Sequence, residues 1–201
     1  MNRTVVVPVP AAPPRRRFAP ARAGGMTLIE LMVALAVAAL IVALGAPTML
    51  RMLARHAIAA QAEELQDAVR IGRNEAMKRR GPVVLCRTDA SNTSHCAGSA
   101  GSWQTWLLFA DVARTGVFVG GDPILRQHLD ESGRMTVVGN AASIRFESTG
   151  IAHADAGSAV FVLSPAGASA GSTGSDHGAQ RQVCVNPRGE VAVVSGNETC
   201  P

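Results

Sequence analysis

The order of apolar and polar residues separates an N-terminal third of the chain from the rest. Residues 31–46 (LMVALAVAALIVALGA) contain no polar side chain, and residues 26–50 contain only Thr27, Glu30 and Thr48 as polar ones. A membrane-spanning helix needs about 20 predominantly apolar residues. The pattern therefore predicts a transmembrane helix over residues 26–50.

Residues 51–81 keep a helical period but are amphipathic. Apolar or small residues recur at alternating spacings of four and three, which places them on one face of a helix. These residues are Ile58, Ala62, Leu65, Val69, Gly72 and Ala76. Gly81 and Pro82 end the pattern, because proline cannot continue a helix. The sequence thus predicts one helix from about Thr27 to Arg80, whose second half packs its apolar face on the following domain.

From residue 82 onwards the pattern is typical of a β domain. Short runs rich in Val, Ile, Leu or Phe alternate with turn residues. The predicted strands are residues 82–87, 103–109, 124–129, 135–138, 143–146, 160–163, 182–185 and 190–194. Residues 165–179 are rich in Gly, Ala and Ser and are predicted to form a low-complexity loop. A long helix followed by short strands indicates an α+β fold, with the helix packed on an antiparallel sheet.

The formal charge of +4 is unevenly distributed along the chain. Residues 1–25 hold five of the 19 basic side chains and none of the 15 acidic ones, which leaves 14 bases against 15 acids beyond them. Arginines next to a membrane span favour the cytoplasmic side, and prolines within residues 1–25 disfavour a helix there. The charge distribution therefore indicates that residues 1–25 are cytoplasmic. The chain beyond them is nearly neutral, so the basic overall charge gives no support by itself to a nucleic-acid partner.

The boundary between the basic segment and the apolar run carries a specific motif. Residues 25–32 (GMTLIELM) closely resemble the class III signal of type IV pilins and type II secretion pseudopilins. The resemblance implies that a prepilin peptidase cleaves after Gly25 and that Met26 becomes the N-methylated first residue, where the family usually has Phe. It also implies that Glu30 pairs with the N-terminal amine of a neighbouring subunit during assembly. The position of Glu30 alone is equally consistent with an interfacial carboxylate that reaches water.

The body of the chain resembles the GspH/FimT family of type IV minor pilins and type II secretion minor pseudopilins. The segments that carry this resemblance are residues 73–80, 82–86, 103–109, 145–150 and 181–189. The resemblance implies a structural subunit of a type IV pilus or of a type II secretion pseudopilus, which helps to initiate or shape the filament. The sequence does not separate these two systems.

The resemblance also implies a domain organisation, a location and a set of partners. Residues 1–25 are expected to be a cleaved leader, 26–50 a transmembrane and assembly helix, 51–81 its amphipathic continuation and 82–201 a β-rich periplasmic body. The protein is expected in the inner membrane with a cytoplasmic N-terminus, and then in the filament. Its expected partners are the prepilin peptidase, other pilins or pseudopilins in a helical filament, the inner-membrane assembly platform and membrane lipid.

The four cysteines are expected to form disulfides, because a body outside the cytoplasmic membrane meets an oxidising environment. Of the three possible connectivities, Cys86–Cys96 and Cys184–Cys200 are favoured because each closes a local loop. The chain has no C-x2-C pair, and His95 beside Cys96 does not have the spacing of metal ligands. We therefore predict no metal site and no cofactor.

The sequence gives little support to an anchored periplasmic enzyme. The five histidines are scattered through polar surroundings and are expected to be solvated rather than catalytic: His56, His95, His128, His153 and His177. Ser164 and Ser195 lack a G-x-S-x-G motif, and no glycine-rich phosphate loop precedes a helix. We therefore predict that the protein is not an enzyme.

A DNA-binding minor pilin for natural transformation is the alternative function. Family members with a role in DNA uptake carry a C-terminal Gly-Arg-x-Arg motif, but residues 189–192 of this chain read Gly-Glu-Val-Ala. From residue 85 on, the chain has seven arginines and ten acidic residues, whereas DNA affinity depends on positive charge. The basic cluster Arg70, Arg73, Lys78, Arg79 and Arg80 is expected to pair with acids of neighbouring subunits or to be solvated. DNA binding is therefore possible but not favoured.

Overall fold

The computed structural model describes five stretches of the chain: residues 26–89, 92–130, 133–166, 180–196 and 198–201. For residues 45–48, 50, 51 and 92 it describes the backbone alone. The chain divides into two compact units, residues 1–44 and 45–201. The predicted leader over residues 1–25 and most of the predicted loop over residues 165–179 lie outside the described residues.

The described part of the first unit is almost entirely helical. Helix α1 (Leu28–Arg79) begins in this unit, and its bounds agree within one residue with those predicted from the sequence. Every side chain of residues 26–44 is exposed. Among the residues that the structure describes, no helix is both long and apolar enough to cross a membrane. The predicted span, residues 26–50, includes residues 45–48 and 50, for which the structure describes the backbone alone.

In the second unit, α1 forms part of the core. All six residues of the predicted apolar stripe, from Ile58 to Ala76, are buried. The prediction that this face packs on the following domain is therefore confirmed. The helix packs closely on the first sheet at Gly72. A Cβ atom at this position would be 2.8 Å from Cε2 of Phe146 and 3.1 Å from Cδ1 of Leu108.

The described residues after α1 contain eleven strands. They are β1 (Val83–Asp89), β2 (Asn92–Cys96), β3 (Gly101–Ser102), β4 (Thr105–Ala110), β5 (Ile124–Leu129), β6 (Met135–Gly139), β7 (Ser143–Phe146), β8 (Ala152–Ala154), β9 (Ala159–Pro165), β10 (Arg181–Val185) and β11 (Val191–Ser195). All eight predicted strands are present with small shifts at their ends. The strands β2, β3 and β8 were not predicted, because β2 is polar and the other two have only two and three residues.

The strands form two antiparallel sheets. The first sheet has the order β5-β4-β1-β7-β8, with β2 also paired to β1, and the second has the order β11-β10-β9-β6-β3. A buried cluster joins residues of α1 to residues of both sheets, with Trp103, Trp106, Phe146 and Phe161 among its largest side chains. The predicted α+β fold, with the helix packed on antiparallel strands, is confirmed.

The central strand β1 is buried on both faces. Val83 and Leu85 point into the cluster that contains α1, while Val84 and Cys86 belong to a smaller cluster with Leu107. Alternate residues of a strand point to opposite faces of the sheet. Cys86 therefore lies on the face of the sheet that does not contact the helix.

Candidate functional site

The first turn of α1 contains the predicted processing and assembly residues. The Glu30 amide donates a hydrogen bond to Oγ1 of Thr27 over 3.3 Å, and the Leu31 amide donates to the Thr27 carbonyl over 3.2 Å. Thr27 therefore caps the helix, and Glu30 occupies its third position. The sequence T-x-x-E is the signal of a capping box, and this signal was missed when Glu30 was considered only as a charge in an apolar run.

The Glu30 side chain lies in the first turn of α1. Within the described residues Glu30 forms no ion pair, and its side chain is exposed. Its carboxylate is therefore accessible to a cation of another chain, at a position four residues after Met26.

The helix that carries this carboxylate exposes apolar side chains along residues 28–44. Leu28, Ile29, Leu40, Ile41 and Leu44 are all at least 65% exposed. Soluble monomers rarely expose contiguous apolar surface of this kind, and such surface marks contacts with protein or membrane. A helix that is apolar on every face is normally buried. Residues 26–44 therefore need a partner that covers them.

The structure joins the four cysteines in two pairs. Cys86 of β1 bonds Cys96 of β2, and Cys184 of β10 bonds Cys200 near the C-terminus. The first disulfide lies beside the small apolar cluster of β1 and β4. The second attaches the C-terminal residues to the second sheet. Both pairs are the ones favoured from the sequence.

A polar contact fixes the helix to the edge of the first sheet. His128 of β5 has its Nδ1 atom 3.1 Å from Oε2 of Glu64, and its Nε2 atom 3.1 Å from Nε2 of Gln61. The imidazole also stacks on Trp106, with ring centroids 5.5 Å apart. Because the His128 side chain is only 15% exposed, the expectation that it is solvated is wrong. The contacts make it a structural link between α1 and β5.

Three side chains of the basic cluster at the end of α1 pair with two acids of the same helix. Arg70 lies 3.9 Å from Asp67, Lys78 lies 3.3 Å from Oε1 of Glu75, and Arg79 lies 2.6 Å from Oε2 of Glu75. The hydrogen bonds from Arg79 and then Lys78 lower the pKa of the Glu75 carboxyl below its usual 4.5. These side chains therefore pair with acids of their own helix.

Arg73 of the same cluster packs against two turns. A Cβ atom on Gly150 would lie 3.0 Å from its Nε atom, and a Cβ atom on Gly189 would lie 3.2 Å from its Cδ atom. Both glycines have positive φ, at 83° and 74°, which other residues adopt at a cost. The Nε atom of Arg73 is buried and has no hydrogen-bond partner within the described part of the chain. The half-buried Arg73 side chain thus packs against both turns.

The described residues contain no group of three or more His, Cys, Asp or Glu side chains that could hold a metal ion. His56, His95 and His153 are exposed, and His177 lies outside the described residues. Ser164 is buried and contacts the hydroxyl of Thr136. The described histidines and Ser164 thus have no shared site.

Two family profiles match the chain. Residues 61–189, well over half of the sequence, match the family described as type II transport protein GspH. Residues 20–46 match the prokaryotic N-terminal methylation motif. This second match includes Gly25, Met26 and Glu30, so it covers the motif that was singled out in the sequence. No curated protein sequence matches the chain significantly.

Solved structures with a similar fold include two pilin-like proteins. The type IV minor pilin FimU of Pseudomonas aeruginosa aligns over 72% of this chain and 92% of its own, with 17% identity and a TM-score of 0.50. The minor pseudopilin EpsH of Vibrio cholerae aligns over 70% of this chain and 98% of its own, with 13% identity and a TM-score of 0.46. At 17% identity the similarity to FimU supports the fold and nothing finer.

Proposed function

The chain belongs to the family of the type II transport protein GspH, and we propose that it is a minor pilin or pseudopilin, a structural subunit of a type IV pilus or of a type II secretion pseudopilus. The family inferred from the sequence is thereby confirmed. One observation carries the proposal. The described part of the methylation motif includes the start of α1, residues 26–44 are all exposed, and α1 continues into a folded α+β body.

The proposal assigns a separate task to each part of the chain. Residues 1–25 are a leader that a prepilin peptidase removes after Gly25, so that Met26 becomes the methylated N-terminus. Residues 26–50 anchor the precursor in the inner membrane and later pack with other subunits in the filament. Residues 51–81 connect this helix to the body, and residues 82–201 form the periplasmic part. The apolar surface of residues 26–44 supports this assignment, because it is covered in both the membrane and the filament.

Glu30 has a specific task in this proposal. The N-terminal amine stays protonated after methylation, and opposite charges at close range in a medium of low dielectric constant stabilise each other. The amine of one subunit would therefore pair with Glu30 of a neighbour and set the axial register between them. The exposed carboxylate in the first turn of α1 supports this pairing.

The location and partners follow from the same assignment. The N-terminus is cytoplasmic and the body periplasmic before assembly, and the oxidised cysteines fit a periplasmic body. Other pilins or pseudopilins, the prepilin peptidase, the assembly platform and inner-membrane lipid are the partners. The family and fold are those of structural subunits rather than enzymes. No observation favours the DNA-binding alternative.

Deletion of the gene tests the proposal. We expect loss of twitching motility and surface pili if the subunit serves a type IV pilus, or loss of exoprotein secretion if it serves a type II system. Complementation with the wild-type gene should restore the affected property, and immunoblots should detect the processed protein in sheared filaments. DNA uptake is scored in the same strains. If pili, motility and secretion are all unaffected and the protein is absent from sheared filaments, the proposal is wrong.

A further inference from the structure

A basic cavity lies where α1 ends and the first sheet begins. It has a volume of about 260 Å³, and its lining includes Arg79 and Arg80 of the helix end, Pro82, Asp111 and Arg114. We call it the arginine cavity. It lies entirely within the second unit of the chain.

Two of the charged groups in this cavity have partners of opposite charge outside its lining. Arg79 pairs with Glu75 over 2.6 Å. The Asp111 carboxylate lies 3.4 Å from Nη1 of Arg145, and it accepts hydrogen bonds of 2.9 Å from the amides of Thr115 and Gly116. Asp111 is therefore held in place from the side of the protein, by Arg145 and two backbone amides, and Arg145 also pairs with Glu147 over 3.0 Å. Among the described residues, its carboxylate forms no ion pair with Arg80 or Arg114.

Arg80 and Arg114 are the remaining cations. Neither side chain forms an ion pair or a hydrogen bond within the described residues. Both are exposed. The arginine cavity thus presents two uncompensated guanidinium groups.

The backbone of these two arginines is unusual. Arg80 has φ 54° and Arg114 has φ 58°, and among the described residues no other residue except glycine has positive φ. Side chains with a Cβ atom adopt this left-handed conformation only at a cost in free energy. Residues in such conformations cluster at functional sites, and here both of them line one cavity.

The end of α1 shows why Arg80 is unexpected at its position. The Gly81 amide donates to the carbonyl of Ala76 over 3.2 Å, and the Arg80 amide donates to that of Met77 over 3.4 Å. These two bonds form a helix-ending motif in which the left-handed residue is usually glycine. Here arginine takes that position and glycine follows it. The Arg80 side chain therefore stands at a position where the backbone conformation favours glycine.

From the charges and the backbone together, we propose that the arginine cavity binds a carboxylate side chain of a neighbouring subunit. A guanidinium group matches a carboxylate with two parallel hydrogen bonds, and two such groups can hold one acidic side chain from both sides. The identity of the partner rests on the proposed function. The proposal that this cavity binds a carboxylate does not depend on that function.

The charge distribution favours an acidic protein over nucleic acid as the occupant. Binding of DNA depends on many phosphate contacts spread over a basic surface. Beyond residue 25 the chain has 14 bases against 15 acids, and most of the nearby cations already pair with acids of α1. Two uncompensated arginines in one cavity fit a single acidic side chain better than a polyanion.

Titration of the processed protein, residues 26–201, in detergent with a hexaglutamate peptide tests the proposal, since the five arginines of residues 1–25 would bind the peptide themselves. Arg80→Gly and Arg114→Gly each replace a strained residue by the one that suits its backbone, so both variants should fold. We expect each to weaken peptide binding by about tenfold, the loss expected for a charge-assisted hydrogen bond. Arg188→Gly is the matched control, because Arg188 is an exposed arginine outside the cavity lining. It should bind the peptide within about twofold of wild type.

A DNA duplex and inorganic phosphate serve as the competing probes. If the cavity is specific for carboxylates of proteins, neither should displace the peptide at equal concentration of negative charge. Equal loss of binding in Arg188→Gly, unchanged binding in Arg80→Gly, or preferential binding of the duplex would each overturn the proposal. If the protein still enters filaments while its peptide binding fails these tests, the proposed subunit function stands and the arginine cavity alone is disproved.

Discussion

A Cβ atom on Gly72 of α1 would lie 2.8 Å from Cε2 of Phe146 in β7. This distance is too short for a real contact between two carbon atoms. The helix therefore approaches the first sheet at a position where only glycine fits without movement of the phenyl ring. Phe146 is fully buried, so its ring has neighbours on every side.

We expect Gly72→Ala to lower the stability of the protein. Alanine is favoured over glycine in a helix by about 1 kcal/mol, but overpacking of a core costs about 1–3 kcal/mol. The expected net loss in the free energy of unfolding is about 1 kcal/mol, measured by urea denaturation. Ala60→Gly is the control at an exposed position of the same helix. It measures the difference in the free energy of unfolding between alanine and glycine in the helix, without a change in core packing.

A second substitution shows whether Phe146 is the cause. If the clash is with its ring, Phe146→Leu should lower the free energy of unfolding less in the Gly72→Ala variant than in the wild type. Residues in contact are energetically coupled. An increase in stability for Gly72→Ala would mean that the ring moves freely and that the close approach does not restrict this position.

The helical parts of the fold could be predicted because their patterns are local. The spacing of four and three from Ile58 to Ala76 identifies the buried face of α1 without any tertiary information. The strands with runs of β-branched or aromatic residues were identified in the same way. Strand β2 has the sequence NTSHC, with no alternation of apolar residues, so it could not be identified in this way. It pairs with β1 beside the Cys86–Cys96 disulfide.

The candidate sites were only partly predictable for a similar reason. The roles predicted for Gly25, Met26 and Glu30 rest on a motif of eight residues and stay predictions. In contrast, His128 is half-buried by contacts with Glu64 and Trp106, which are 64 and 22 positions away in the sequence. The left-handed backbone at Arg80 and Arg114 has no sequence signal, because glycine is the residue that marks such positions.

Substitution of Glu30 by Gln separates its charge from its role in the helix cap. Glutamine fits a capping box as well as glutamate does, but it cannot pair with an N-terminal cation. We expect Glu30→Gln to be processed normally and to be retained in the membrane, with at least about tenfold less protein in sheared filaments, because a broken buried ion pair costs several kcal/mol. Immunoblots of membrane and filament fractions measure this distribution.

Thr27→Ala is the matched variant for the cap. It removes the Oγ1 acceptor of the Glu30 amide and should cost the helix about 1 kcal/mol, while the carboxylate remains. We expect it to enter filaments close to the wild-type level. If Glu30→Gln enters filaments as efficiently as the wild type, the pairing role is wrong and the interfacial interpretation of Glu30 stands.

Gly25→Val tests cleavage independently of assembly. The peptidase must approach the backbone closely at the scissile bond, and a branched side chain there obstructs this approach. We expect an unprocessed band that is larger by the 25-residue leader, whereas Glu30→Gln gives a band of mature size. A mature-sized band for Gly25→Val would place the cleavage site elsewhere.

Removal of each disulfide should destabilise the body. In the chain-entropy model, loops closed by sequence separations of 10 and 16 residues are each stabilised by about 3 kcal/mol. We expect the pairs Cys86→Ala with Cys96→Ala and Cys184→Ala with Cys200→Ala to lower the free energy of unfolding by about this amount. Peptide mapping under non-reducing conditions checks the connectivity. Four free thiols in periplasmically expressed protein would contradict both bonds.

The ion pairs of Glu75 should make the end of α1 sensitive to acid. Because hydrogen bonds from Arg79 and Lys78 lower the pKa of Glu75 from 4.5, its charged form is the one that stabilises the folded state. This contribution is fully present above pH 4.5 and is lost as the pH falls through the lower pKa of the folded protein. We expect Arg79→Gln to return the Glu75 pKa towards 4.5, measured by NMR titration of its carboxyl carbon. An unchanged pKa would show that Arg79 does not stabilise the carboxylate.

The left-handed backbone at the end of α1 predicts that Arg80→Gly stabilises the protein. A residue with a Cβ atom pays about 1–2 kcal/mol in this conformation, and glycine loses about 0.5–1 kcal/mol more chain entropy on folding. The expected net gain in the free energy of unfolding is therefore about 0.5–1 kcal/mol. Arg79→Gly is the neighbouring control, since Arg79 is helical and pairs with Glu75, so glycine there should be destabilising. If urea denaturation shows that Arg80→Gly is also destabilising, then the Arg80 side chain contributes to the stability of the isolated subunit, and its retention needs no partner.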